Sequence, residues 1–499
     1  MALIPLQVCI AQMQKYGYAA QVVVHSILCM DAVERSPSSP GAWPLVAVAL
    51  GYVMAMLDVT VVNVALRSIS DELSMTLAGQ VWIVDAYTLT FAALLLAGGA
   101  MANRFGARAV YAAGIAAFVA ASTLCAAAAS GAELIGARLL QGIAASLFIP
   151  SSLGLLAQAY PDEHERARVL GLWSAIVSAS AASGPLVGGL VITWLGWRAI
   201  FWLNLPLGVL AIWLAHRHLA MAPRHPEPWH LAAQLYGSLA LGGLAYVLIQ
   251  GPSVGWNSPR VLAAAIIAVL AVTAFARHQR RATQPLLPRA LLHDAAFLRI
   301  NAIGLLINFE VFGALFLMTL YNQQARQASP LATGLNLLPL MAMYTFGNLI
   351  SARVVARHGR VITLRSGLML ATIGAAAAAA VAVLDGGQPS WPLDVFIAIA
   401  NLGAAIAIPA VTSSVLGHGD GRHTNTAAAI LNANRQIGAL VGVAVVGVVM
   451  HGPGSWALKL PTSLTLLTIA FAAAAVLALR SSKPRRTSNP AASAMQMLD

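Results

Sequence analysis

Ser180-Ala-Ala-Ser-Gly-Pro-Leu-Val-Gly-Gly189 lies inside an apolar run from Val169 to Ile192, long enough for a membrane helix. Pro185 removes a backbone donor and presses on the preceding turn, so a helix through it bends. Ser180, Gly184 and Gly188 recur at i, i+4 and i+8, giving one flat face that a second helix can approach closely. A bent, closely packed helix in a bilayer points to a moving seam, and so to transport.

The composition around this stretch agrees. Of 499 residues, 59% are hydrophobic and only 9% charged, against roughly 25% charged in soluble domains. Apolar stretches of about 20 residues, each able to cross a bilayer, predict helices at 43–66, 79–101, 109–130, 133–158, 168–193, 198–215, 231–249 and 261–276. Six more are predicted at 296–321, 333–352, 365–384, 395–416, 425–450 and 460–480. Fourteen spans leave both termini on one side.

The formal charge of +12 would suit nucleic acid, but its distribution speaks for topology. With the N-terminus inside, the inner loops and both tails carry 22 of the 29 Lys and Arg residues. The outer loops carry five (Arg67, Arg198, Arg260, Arg326, Lys459), and Arg138 and Arg435 fall inside helices. The positive-inside rule therefore places both termini in the cytoplasm of a multi-pass cytoplasmic-membrane protein. The basic surplus would also give some affinity for anionic lipid.

Cys9, Cys29 and Cys125 have no metal or redox spacing. His216, His218, His225 and His230 lack ligand spacing, so no metal is expected. The three lysines, Lys15, Lys459 and Lys483, sit in no phosphate-cradling loop. No ATP, no cofactor and no enzymatic chemistry are expected, and pumping would draw on an ion gradient, the simpler alternative to a separate ATPase subunit. Residues 1–42 form a leader without a signal-peptide pattern, expected to be disordered, and the polar run after Met30 suggests that translation starts there.

The halves echo one another. Asn103-Arg104-Phe105-Gly106-Ala107-Arg108 resembles Ala356-Arg357-His358-Gly359-Arg360, and Ala144-Ala145…Pro150 resembles Ala404-Ala405…Pro409. Two matches at nearly one offset predict an all-α membrane fold of two six-helix bundles, 43–215 and 296–480. Two inserted helices and a basic loop would occupy 216–295, and a cytoplasmic tail 481–499.

These features resemble the major facilitator superfamily, in its fourteen-helix drug:proton antiporter branch, and within it methylenomycin A resistance-type exporters. Leu57-Asp58-Val59-Thr60-Val61-Val62-Asn63-Val64-Ala65-Leu66 is similar to that branch's helix 1 motif, with Arg67 where a proline is usual. Gly184, Pro185, Gly188 and Gly189 match its helix 5 antiporter motif, with Ser180 in place of the first glycine. Arg138-Leu139-Leu140-Gln141-Gly142 matches the helix 4 motif. Trp197-Arg198…Phe201-Trp202…Asn204…Pro206 and Arg435-Gln436-Ile437-Gly438 are also characteristic. The loop after helix 2 departs from the family pattern: Asn103 replaces an aspartate and Ala107 a basic residue, while Arg104, Gly106 and Arg108 are kept. The resemblance implies that this loop forms an inner gate, so the inner-closed state should be less favoured here.

Of 46 charged residues, only Asp58, Asp85, Arg138, Glu310 and Arg435 fall well inside the spans. A charge at mid-bilayer costs at least about 2.5 kcal/mol, so each should be paired, protonated or facing water. At 1.5 Å per residue, Asp58, Asp85 and Arg138 lie about 12, 9 and 7 Å from the outer helix ends, a depth that would suit one cluster. Asp58 is either a proton site or a structural partner. Burial favours a neutral acid, and an approaching guanidinium favours the carboxylate. Arg138 either sets the charge of a nearby acid or forms a fixed ion pair, and the resemblance implies a part in proton coupling. Asp85 is a proton-coupling candidate or an acid near a helix start reaching the interface.

Glu310, on a face with Gly313, Leu317 and Tyr321, is a proton or substrate site. Asp58, Gln141, Glu310 and Tyr321 are the candidate residues of a substrate cavity. Arg435, beside Gly438 and Gly442, is expected to serve packing, held by Asn432 or a backbone group. The resulting expectation is a monomeric, proton-coupled antiporter exporting antibiotic-like or other small lipophilic molecules by alternating access. The alternatives are transport of a specific metabolite or siderophore, and a non-transporting membrane sensor.

Overall fold

A computed structural model describes residues 41–221, 230–388, 390–416 and 424–480. The Met30 start, the leader, the 481–499 tail and His225 lie outside the described residues.

Fourteen helices are long and apolar enough to cross a membrane. In chain order they are α1 Trp43–Leu73, α2 Leu77–Phe105, α3 Ala107–Ala127, α4 Gly131–Ala159, α5 Glu163–Leu195 and α6 Arg198–His218. The inserted pair is α7 Leu231–Val254 and α8 Pro259–Arg281. The second set is α9 Ala295–Ala325, α10 Pro330–His358, α11 Arg360–Leu384, α12 Trp391–Leu416, α13 Thr424–His451 and α14 Trp456–Leu479. Every predicted span is present, and most helices run a turn or so past the predicted apolar limits. Polar side chains explain the excess, because they continue a helix beyond hydrocarbon when its end is capped. Thr76, Ser130, Asp162, Asp294 and Ser329 each accept a backbone N–H of the first turn that they precede.

α1–α6 and α9–α14 form two bundles related by the repeat seen in the sequence. Gly106 and Gly359 take the same role between paired helices, with φ of +97° and +81°. That left-handed region is readily open only to glycine, so the tight α2–α3 and α10–α11 turns depend on these positions. Pro150 and Pro409 sit inside α4 and α12 at matching places. α7 and α8 pair with each other, and α7 also touches both α2 and α13, so it bridges the bundles along one side. α8 leaves Ile266, Val269 and Leu270 exposed, as suits a lipid-facing helix.

The two ends of the molecule are packed differently. Toward the end where α1 finishes, one core runs through both bundles, joining Val61, Ile69 and Val84 to Phe316, Leu340 and Val446. Toward the end where α1 begins, each bundle keeps its own core. Met54, Phe91, Ile115 and Phe148 fill the first, and Phe297, Ile303, Leu368 and Phe471 the second. The basic loops cluster at this second end.

Candidate functional site

The bent helix meets two neighbours. Against α1, a Cβ on Gly184 would sit 1.8 Å from Thr60 Oγ1, and one on Gly188 would sit 3.0 Å from Val61. Against α10, across the bundle seam, a Cβ on Gly189 would lie 2.8 Å from the Pro330 carbonyl oxygen. Gly334 of α10 returns the contact, because a Cβ there would lie 2.3 Å from the Pro185 carbonyl oxygen. The expected small-residue face thus binds α1, while Pro185 and Gly189 form a second face at the seam. Further along, Thr345 Oγ1 donates to the Ser178 carbonyl oxygen at 2.9 Å. Gly334 was not legible as the counterpart, since nothing local marks which helix lies opposite.

Inside the first bundle, Asp58, Arg138 and Gln141 converge as a buried cluster. Arg138 pairs with Asp58 Oδ2 through Nη1, and both side chains are 1% exposed. Gln141 Nε2 donates to Asp58 Oδ1 at 3.1 Å, and Asn204 Nδ2 donates to the same oxygen at 3.2 Å. Arg138 also donates to the Ile83 carbonyl oxygen at 3.0 Å and to Gln141 Oε1 at 2.8 Å. Its guanidinium lies 4.7 Å from the Tyr87 ring centroid. Ser122 Oγ accepts from Gln141 at 2.8 Å and from Asn204 at 3.1 Å, which fixes the two amides. Removing one member of such a pair leaves an uncompensated buried charge, costing about 3–5 kcal/mol.

Asn204 and Ser122 were not singled out as site residues from the sequence. Asn204 begins the second segment of α6, directly after Leu203, whose backbone stays helical. The motif around Trp197 and Pro206 was the available signal. A narrow crevice between α1 and α6, lined by Leu57, Asp58, Leu203 and Asn204, reaches the edge of the cluster.

Asp85 does not join this cluster. It is fully buried, and neither carboxylate oxygen has a hydrogen-bond partner. Nor does it reach the interface, because it lies past the first turn of α2 and at 0% exposure. Depth alone misled here: residues at one level of a bundle meet only if their helix faces also agree. Glu310 is 3% exposed, and its Oε2 has no partner. Tyr321 is fully buried. Its hydroxyl donates to the Gly387 carbonyl oxygen at 2.9 Å, and its ring packs against Trp456, at the end of α9 where a wide turn begins.

Arg435 lacks the partner expected for it. Among the described residues no hydrogen bond or ion pair involves its guanidinium, Asn432 included, and the side chain is half-buried. Its neighbours Gly438 and Gly442 pack directly on the α9 backbone at Leu305 and Phe309, which holds the helix without the arginine. Asn434 adds a bond to Asn301 Oδ1 at 3.1 Å.

In the loop after α2, Asn103 and Arg104 end the helix and Gly106 makes the turn. Arg108 ties down the end of α6, donating to the Leu219 carbonyl oxygen at 2.9 Å and meeting His216 Nδ1 at 3.0 Å. At the opposite end Arg67 crosses between bundles, donating to the Gln323 carbonyl oxygen. Gln323 Nε2 donates back to the Val64 carbonyl oxygen at 2.7 Å.

Comparison with known proteins agrees with this architecture. The sequence model of the Major Facilitator Superfamily matches residues 48–443. The chain is 44% identical over 449 residues to the methylenomycin A resistance protein of Bacillus subtilis, covering 89% of this chain and 95% of that one. It is 42% identical over 417 residues to the methylenomycin A resistance protein of Streptomyces coelicolor, covering 84% and 87%. A solved auto-inhibited POT family peptide transporter superposes with a TM-score of 0.66 at 16% identity, covering 90% of this chain and 99% of that one, a likeness of fold.

Proposed function

The chain belongs to the Major Facilitator Superfamily, and from that premise we propose that it is a proton-coupled antiporter exporting antibiotic-like small molecules by alternating access. The relatives' names, resistance proteins with nearly full-length coverage, support export. The observation that carries the coupling is the buried Asp58–Arg138 pair, closed by Gln141 and Asn204.

Protonation of Asp58 would cancel its charge and release Arg138, and deprotonation would draw it back. Such a pair has two discrete arrangements, which is what a transported proton needs to bias a two-state structure. Arg138 does not titrate, so it serves as the fixed countercharge. Glu310 is the second proton or substrate site in this reading, its Oε2 without a hydrogen-bond partner and its carboxylate in no ion pair among the described residues. Each proton entering through about 100 mV contributes about 2.3 kcal/mol toward efflux.

The moving bodies are proposed as residues 43–215 and 296–480 of a monomer, with 216–295 riding between them and both termini in the cytoplasm. Under that orientation the shared core closes the outer end, and the separate cores leave the inner end as the entry. The molecule is then in its inward-facing form. Arg67 latches that form from outside, while Asn103 supplies no charge to close the inside.

The test is efflux from inverted vesicles under an imposed pH gradient. Asp58→Asn or Glu310→Gln is expected to abolish proton-driven efflux while substrate exchange without a gradient persists. Arg138→Lys should retain more coupling than Arg138→Ala, because it keeps the charge. Full coupling in both acid variants would leave the acids as structural partners only.

A further inference from the structure

Arginines from three helices meet where α14 finishes. The helix ends at Leu479, and Arg480 follows it. Arg365 of α11 donates to the Ala478 carbonyl oxygen through Nε at 3.2 Å, and to the Leu479 carbonyl oxygen through Nη2 at 3.0 Å. Arg299 of α9, a second neighbour of α14, donates to the Arg480 carbonyl oxygen through Nη1 at 3.4 Å. Hydrogen bonds thus hold two guanidinium groups on the last carbonyls of α14, and Arg480 adds a third cation at the same end.

Capping explains only part of this arrangement. A helix C-terminus carries about half a negative charge, so a cation beside it is favourable. Half a charge does not balance three. Among the described residues no ion pair involves Arg299 or Arg480. Asp294, the acid that precedes α9, caps that helix instead, accepting from the Ala296 and Phe297 amides. Arg299 Nε is buried without a hydrogen-bond partner, and the Arg480 side chain is exposed.

The adjoining surface is apolar. Leu466, Ile469, Ala473 and Val476 of α14 are all exposed, and Arg480 continues their series. Steps of three and four residues put all five on one helix face. α11, packed against α14, adds the exposed side chains of Ile362, Met369 and Ile373. An apolar stripe that runs into a cluster of guanidinium groups matches a molecule with acyl chains at one end and an anionic head at the other.

We infer that Arg299, Arg365 and Arg480 form a headgroup site for an anionic phospholipid, whose acyl chains lie along the Leu466–Val476 face of α14. Arg480 and the Nη nitrogens of Arg299 donate to the phosphate, because a guanidinium fork matches two phosphate oxygens. Arg365 positions the helix end and adds its charge. The inference goes beyond the export reading and needs only that the chain spans a membrane.

The test uses the purified full-length protein in detergent, with phosphatidylglycerol as probe. Phosphatidylcholine is the zwitterionic comparator and inorganic phosphate the soluble one. Bound lipid is counted by native mass spectrometry, and the thermal unfolding midpoint is read alongside. Phosphatidylglycerol is expected to bind about tenfold or more tightly than phosphatidylcholine. Arg299→Gln combined with Arg480→Gln should cut that preference about fivefold or more, while Arg480→Lys, which keeps the charge, should retain most of it. Arg277→Gln combined with Arg281→Gln removes the same charge from exposed positions on α8 and should change the preference by less than about twofold. Arg480→Gln alone, at an exposed position, decides the matter if the double variant does not fold. Equal binding of the two lipids, equal losses in the two double variants, or displacement of the lipid by inorganic phosphate overturns the site. Proton-driven efflux without a phosphatidylglycerol preference fails the lipid site and leaves the export reading standing. A preference lost in the Arg299 and Arg480 variant, in a protein without such efflux, does the reverse.

Discussion

The two bundles share matching turns at Gly106 and Gly359, yet they treat their internal charges in opposite ways. In the first, Asp58 and Arg138 satisfy each other and recruit Gln141, Asn204, Ser122 and the Ile83 carbonyl. In the second, Glu310 keeps a bare oxygen and Arg435 has no hydrogen-bond or ion-pair partner among the described residues. A closed network holds its neighbours and responds mainly when a proton enters it. Unpaired groups have bonding capacity left over. The difference separates a closed polar network from groups left without partners among the described residues.

The sharpest way to break this comparison is to unpair the closed side. Arg138→Ala should lower stability by about 3–5 kcal/mol, because it strands the Asp58 carboxylate. Unfolding in detergent should show that loss, and Asp58→Asn combined with Arg138→Gln should recover most of it. If Arg138→Ala unfolds like wild type, the first bundle's network is not closed in the sense argued here.

The open side should behave otherwise. Glu310→Met removes a buried carboxyl that has lost nothing to its neighbours, so stability should hold or rise by about 1 kcal/mol. The same measurement checks it, and a large loss would reveal a partner for Glu310. Smallest of all should be Arg435→Gln, which is expected to change stability without ligand by no more than about 0.5 kcal/mol. A larger destabilisation would return Arg435 to a packing role and remove the contrast between the bundles.

Much of the framework was legible in the chain. Runs of about 20 apolar residues marked every span, and caps such as Ser130 and Asp162 set where helices begin. Gly106 and Gly359 announced the repeat. Asp58 and Arg138 were legible as a pair because their depths and the expense of a bare membrane charge both demanded it. Asp85 shows the limit of the same reasoning. It has the right depth but the wrong face, and its carboxylate stays outside the cluster. Tyr321 shares a helix face with Glu310 but sits three turns further along, where the loop at Gly387 takes its hydroxyl.

The departures from the family pattern lie at opposite ends of the seam. Arg67 ties α1 to the turn after α9, whereas Asn103 removes a charge from the loop after α2. In the proposed orientation both are expected to favour the inward-facing form, the first by adding a cross-bundle bond and the second by withdrawing one charge from the proposed gate.

By itself the sequence determined what one dimension can carry: spans from hydropathy, the repeat from matching turns, and which charges must find partners, while the placement of arginines gives an expected orientation. The tertiary structure alone decided which partners they found. Helix faces meet across hundreds of residues, and the rotation of each helix, set by close contacts such as Gly334 on Pro185, determines who touches whom. Asn204 entered the Asp58 network because α6 lays that face against α1, and the Arg435 stem packs near Gly304 of α9 while its guanidinium has no partner among the described residues. Neither outcome is encoded in local spacing, since each follows from how neighbouring helices exclude one another in space.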